Sequence, residues 1–222
     1  MHLHHDGDDH HHHEHTLLHE LKCHLPSAIY SVALGLSILS VVSALAVSLE
    51  VSEILIKKGV TILFHSFHFM HILFASTGTL ITFFRFSKSI PRALIVGIIN
   101  PAIFCMLSDA VLPYIGGTML GVPMTFHVCF WHEWHNVLPF LLMGIINGFV
   151  MRNHIHNQKM YGLATHSVHI FLSSLASIFY LVGHGFVNWY EHIGMVFLFL
   201  VIAVVVPCTM SDVVVPMAIA KK

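Results

Sequence analysis

The sequence predicts an all-α membrane protein of six transmembrane helices, built as two inverted three-helix repeats. Three observations carry that prediction: composition, six long apolar runs, and short motifs that occur twice in the same order. The 222 residues are 56% hydrophobic and 9% charged, with a mean hydropathy of +0.78. A soluble domain carries about 25% charged residues, so a water-soluble core and a disordered chain are both excluded. Ten Lys and Arg against eleven Asp and Glu leave no basic excess to attract nucleic acid. Cys23, Cys105, Cys129 and Cys208 never form a CxxC pair, which argues against a disulfide scaffold or a zinc finger. Histidine is the anomaly, with 22 copies.

Residues 1–18 are expected to form a His-rich cytoplasmic tail. His2, His4, His5, His10, His11, His12, His13 and His15 alternate with Asp6, Asp8, Asp9 and Glu14. Such a tract binds metal without folding. The acids that break up the histidines set it apart from an added purification tag. No apolar stretch follows a basic start within it, so it is not read as a signal peptide.

A spanning helix needs about 20 largely apolar residues. The stretches 26–48, 60–84, 93–115, 136–152, 162–183 and 193–216 qualify. The fourth is short, so part of 122–135 is expected to dip into the membrane beside it. Trp131, Trp134, Trp189 and Tyr190 flank spans, as interfacial aromatics do. Six spans collect Lys22, Arg85, Lys88, Arg92, Arg152, Lys159, Lys221 and Lys222 on one side and leave Lys57 and Lys58 on the other. The excess of basic residues places both termini in the cytoplasm.

The repeat rests on three ordered pairs, each separated by a little over a hundred residues. His19-Glu20-x5-Leu25-Pro26 returns as His132-Glu133-x5-Leu138-Pro139. His65-Ser66-Phe67-His68 returns as His166-Ser167-Val168-His169. Cys105-x2-Ser108-Asp109-x-Val111-x-Pro113 returns as Cys208-x2-Ser211-Asp212-x-Val214-x-Pro216. The first copy occupies 19–117 and the second 118–222. Three spans per copy is an odd number, so the second copy enters the membrane from the opposite side. Secondary transporters recur to that architecture and place their substrate sites at the repeat interface.

The repeated residues have ligand chemistry. His65 and His68 project from one helix face, as do His166 and His169. Asp109 and Asp212 sit inside apolar spans, where an unpaired carboxylate costs several kcal/mol, and a divalent cation would offset that cost. Carboxylate with imidazole suits zinc, iron, cobalt, nickel or manganese. Pro113 and Pro216 lack an N–H, so the carbonyls of Asp109 and Asp212, four residues earlier, are expected to lose their helical partners. The expected metal ligands are therefore His65, His68, Asp109, His132 and Glu133, with His166, His169, Asp212, His19 and Glu20 as their counterparts. Cys105 and Cys208 rank second, His127 and Cys129 are weaker candidates, and His71, His184 and His192 read as interhelical hydrogen-bond donors. His24 reads as an extension of the tail, and Gly144-x3-Gly148 as a close-packing face.

The function expected is transport of a divalent transition metal ion, zinc first, with that ion as cofactor or cargo. The expected partners are membrane lipid, the metal ion and, optionally, further copies of the chain in a homo-oligomer; nucleic acid is not among them. No GxxxxGK[ST] stretch is present, so the energy would come from an ion or proton gradient or from a partner. The alternative is an integral membrane metalloenzyme holding a zinc or di-iron centre, against which the duplication of the ligands counts. A bis-His haem carrier is a second alternative, and the abundant acids fit it poorly.

Overall fold

The computed structural model of the chain describes residues 17–152 and 158–221, with side chains from residue 21 in the first helix and from residue 166 in the helix that begins at 158. Residues 1–16 of the His-rich tail and the side chains of His19, Glu20 and Lys159 lie outside the described residues, and Leu17 and Leu18 begin α1. All regular structure within them is helical. The helices are α1 (Leu17–Ser48), α2 (Glu53–Phe86), α3 (Ile90–Met106), α4 (Leu112–Met119), α5 (Cys129–His132), α6 (Trp134–Met151), α7 (Gln158–Gly183), α8 (Ile193–Thr209) and α9 (Val215–Ala220). Two π-helical segments, Leu107–Val111 and Met210–Val214, join α3 to α4 and α8 to α9. Among the described residues, six continuous helical stretches are long and apolar enough to cross a membrane: Leu21–Ser48, Glu53–Phe86, Ile90–Met119, Trp134–Met151, His166–Gly183 and Trp189–Ala220. They match the six runs expected from the sequence, to within a few residues at most ends.

The starts and stops follow local chemistry. Ser52 precedes α2 in extended conformation, and Glu53 opens the helix, where a carboxylate complements the N-terminal dipole. Pro91 lies in the first turn of α3, the place where its missing N–H costs nothing. Pro26, Pro101, Pro139 and Pro207 are carried inside helices, a common feature of helices that cross membranes.

Helix α2 is the central post, packed against α7, α6, α3 and α9, while α1 lies on α7 and α8. The α7 span is 72% buried and the α1 span 28% buried, so α7 belongs to the interior and α1 to the rim. The interior helices approach closely because they carry small polar residues where others would carry leucine. Ser76 donates to the Gly97 carbonyl of α3, Thr77 to the Gly144 carbonyl of α6, and Thr79 to the Ser211 carbonyl of the second π segment. Three near-consecutive side chains thus tie α2 to three neighbours, by the hydrogen bonds that hold helices together where the hydrophobic effect cannot. Gly144 and Gly148 do form the close-packing face expected, since a Cβ at either would collide with Leu73, Ser76 or Leu80 of α2.

The helices run alternately, which separates the two ends of the bundle. At one end Arg152 lies over the Phe84 ring and Lys221 over the Phe86 ring. At the other end the segment 122–128 is held against the end of α7, with the Thr125 N–H donating to the His184 carbonyl and the His127 N–H to the Tyr180 hydroxyl.

Candidate metal centre

The Asp109 cluster is assembled from α2, α7 and the first π segment. Asp109 is fully buried. Its Oδ2 accepts from His68 Nδ1 at 2.8 Å and from His71 Nδ1 at 2.6 Å. Its Oδ1 accepts from Ser108 Oγ at 2.7 Å and Ser173 Oγ at 2.8 Å. Both oxygens of this carboxylate are thus occupied by hydrogen bonds, which a low-dielectric interior strengthens.

The local fold explains the placement. The Leu112 N–H bonds the Leu107 carbonyl, five residues back, so one extra residue is looped into this turn. In that register the missing N–H of Pro113 faces the Ser108 carbonyl, and Ser177 Oγ stands 3.0 Å from it, its one hydrogen shared with the Ser173 carbonyl at 2.7 Å. The second π segment repeats the device: the Val215 N–H bonds the Met210 carbonyl, and the Ser211 carbonyl accepts from Thr79 Oγ1 at 3.0 Å and from Asn100 Nδ2. The carbonyls that acquire side-chain donors are thus those of Ser108 and Ser211. Spacing on an α-helix pointed instead to Asp109 and Asp212, and the π register shifts the position by one.

The Asp212 cluster has the same chemistry with fewer partners. His166 Nδ1 donates to Asp212 Oδ2 at 3.1 Å, and His169 Nδ1 stands 2.9 Å from the same oxygen but off the line a hydrogen bond requires. Among the described residues, the buried side-chain polar atoms without a hydrogen-bond partner are His166 Nε2, His169 Nδ1, His169 Nε2, Ser211 Oγ and Asp212 Oδ1. All belong to this one cluster. Burying a polar group unpaired costs about 1–3 kcal/mol, so their concentration here points to a ligand. Gly78 makes the room: a Cβ at that position would sit 2.8 Å from Asp212 Oδ2.

The two clusters touch. The rings of His71 and His169 meet edge-on with centroids 4.4 Å apart. His71 Nε2 lies 3.7 Å from Cys105 Sγ and 3.9 Å from Cys208 Sγ.

A third group lies where segment 122–133 covers the end of α2. His65 Nε2 is 3.1 Å from Glu133 Oε1 and 3.5 Å from His127 Nε2. The His127 ring stands 5.3 Å from that of His132 and 5.7 Å from that of His184. The donor atoms of His65, His127 and Cys129 all lie within 4.8 Å of one another. Burial lowers the pKa of His127, and neighbouring His65 lowers it further. Burial likewise lowers that of His184 and raises that of the Cys129 thiol. His127 is therefore neutral near pH 7, the form that binds metal. A cleft of about 400 Å³ opens beside this group, lined by His65, Phe69, Glu133 and Phe140.

The structure accordingly redistributes the expected ligands. His68 with Asp109, and His166 and His169 with Asp212, come together. His65 separates from Asp109 and joins Glu133, while exposed His132 reaches the same group only through His127. At the other end the His24 ring lies 4.0 Å from that of His166, so His24 extends the array. His71 was assigned to helix packing, and its position three residues after His68 was the available sign of a larger role. Ser173 carried no such sign, because its partner Ser108 lies on another helix.

The chain matches no family model, no curated protein and no solved structure. Its chemistry is read from its own residues.

Proposed function

We propose that the protein is a membrane transporter of a divalent transition metal ion, zinc first, with iron, nickel, cobalt and manganese as further cargo. One observation carries this reading: imidazoles and carboxylates follow one another from one end of the bundle to the other. The order is His132, His127 and His65, then His68, Asp109 and His71, then His169, Asp212 and His166, and finally His24. An ion stripped of water needs replacement ligands at each stage, and this array offers nitrogen and oxygen donors throughout.

In this reading the two copies of the motif are inverted repeats in a membrane with both termini cytoplasmic. The Asp109 and Asp212 clusters are exposed alternately, and the His-rich tail receives or releases the ion. The matching π segments beside Asp109 and Asp212 support it, since broken helices at equivalent positions are the common site of substrate binding in such proteins. Histidines titrating near neutrality fit coupling to protons. A resident catalytic metal is the alternative reading, and it predicts a tightly held ion and no flux.

The test is uptake by liposomes containing the purified full-length chain and a metal-sensitive dye. Zinc should enter protein-containing liposomes and not empty ones, and Asp212→Asn should reduce the rate at least tenfold while the protein still inserts. Absence of flux for the whole panel of zinc, iron, cobalt, nickel and manganese would overturn the reading.

A further inference from the structure

Cys105 and Cys208 take no part in the array of imidazoles and carboxylates. Both are free and buried, each 1% exposed, and they occupy equivalent positions in the repeated motif. The Nε2 atom of His71 lies 3.7 Å from one sulfur and 3.9 Å from the other.

The protonation of His71 is fixed by its neighbours. Its Nδ1 stands 2.6 Å from Asp109 Oδ2, so Nδ1 carries the hydrogen and the lone pair of Nε2 is directed at the two thiols. His169 repeats the arrangement: its Nδ1 faces Asp212 Oδ2, and its fully buried Nε2 has no hydrogen-bond partner. The donor atoms of His71, His169 and Cys208 all lie within 4.8 Å of one another. Zinc–sulfur and zinc–nitrogen bonds of about 2.3 and 2.0–2.1 Å place the donors of a tetrahedral site about 3.3–3.8 Å apart. A small contraction of these side chains reaches that spacing.

We infer that His71, His169 and Cys208 form a metal site at the junction of the two clusters, with Cys105, whose Sγ stands 3.7 Å from His71 Nε2 but outside that trio, moving in as the fourth donor. Asp109 and Asp212 serve it by holding the imidazoles, the carboxylate–histidine–metal arrangement in which the second ring N–H is fixed by an acid. Binding a divalent ion releases the two thiol protons to solvent. Two thiolates then balance the charge of the ion, while the carboxylates of Asp109 and Asp212 behind the imidazoles keep the hydrogen bonds of His68, Ser108, Ser173 and His166. Sulfur donors select zinc, cadmium or monovalent copper over manganese or magnesium. The inference rests on the transport reading only in making this ion the cargo; the site itself stands on its own geometry.

The test uses cobalt as a spectroscopic probe of the purified full-length chain. A Cys23→Ser, Cys129→Ser variant leaves Cys105 and Cys208 as the remaining thiols. Cobalt should give a thiolate-to-metal charge-transfer band in it at one ion per chain, displaced by zinc and not by magnesium. Adding Cys208→Ser should remove at least half of the band and weaken cobalt binding at least tenfold, and adding Cys105→Ser as well should abolish the band. If the double variant does not fold, Cys208→Ser alone, in the otherwise native chain, should remove at least half of the band. No charge-transfer band, or one that Cys208→Ser leaves unchanged, overturns the inference. A band without zinc flux would keep this site and remove the transport reading; flux without a band would do the reverse.

Discussion

Four donors, His68, His71, Ser108 and Ser173, converge on the carboxylate of Asp109, whereas Asp212 keeps Oδ1 unpaired. Removing one partner from a buried charged network costs about 3–5 kcal/mol, and less where the network is already incomplete. Asp109→Ala should therefore lower the melting temperature of the detergent-solubilised protein clearly more than Asp212→Ala does. An equal or reversed order would mean that the two carboxylates are equally supported. His184 gives a second measurement. An unfolded histidine titrates near pH 6.5, and burial lowers that of His184, so the folded chain binds fewer protons below about pH 6.5. Acidification through that window favours unfolding. His184→Gln preserves a donor to the Tyr180 carbonyl, which Nδ1 now supplies at 2.9 Å, and should flatten the fall of melting temperature between about pH 7 and 5.5. A slope identical to that of the native chain would remove His184 as a source. At this scale the identity of Asp109, Asp212, His68, His166 and His169 was legible, because each is polar within an apolar run and each recurs. Their partners were not, since a hydrogen bond between α2 and α7 leaves no mark in either run.

The π segments decide what the helices present. Each inserts one residue into a turn, which rotates Asp109 or Asp212 relative to the preceding span. The repeat grouped Asp109 with His65 and His68, because the position in the second copy that matches His71 is Leu172; in the structure Asp109 pairs with His68 and His71, one turn further along α2. The six spans themselves were legible to within a few residues at most ends, because hydropathy depends on composition and hardly on rotation. The packing of α2 on the second π segment makes a prediction of its own. A Cβ on Gly78 would lie 2.8 Å from Asp212 Oδ2 and 3.1 Å from its Cγ, so Gly78→Ala should push the carboxylate away from His166 and His169. Zinc uptake should drop at least tenfold with little change in yield or melting temperature. Native uptake by Gly78→Ala would show that the position of Asp212 is not critical.

For the molecule as a whole, the proposed inversion of the two repeats makes a topological prediction. Lys58 and Lys159 each stand seven residues before the first histidine of a repeated pair, yet three spans separate them. In a background lacking the four native cysteines, Lys58→Cys should react with a membrane-impermeant thiol reagent on intact cells and Lys159→Cys should not. Reaction of both would make the repeats parallel and remove alternating access. The grouping of basic residues is already visible in the bundle, where Arg152 and Lys221 lie beside Phe84 and Phe86 at one end and Lys57 and Lys58 begin α2 at the other. Which end faces the cytoplasm was inferred from charge alone, a property of the surrounding bilayer as much as of the fold.

In the transport reading, the unequal saturation of the two carboxylates has a consequence for an ion moving between them. Reaching Asp109 means breaking hydrogen bonds that already exist, while reaching Asp212 means completing ones that do not. Two sites spelled with the same letters therefore present thresholds of different height. A path with a high step on one side and a low one on the other holds its ion longer at the less saturated acid. The gradient would set the direction of movement, and the serines and glycine around the two acids, where the repeated motif itself is symmetric, would set where the ion pauses.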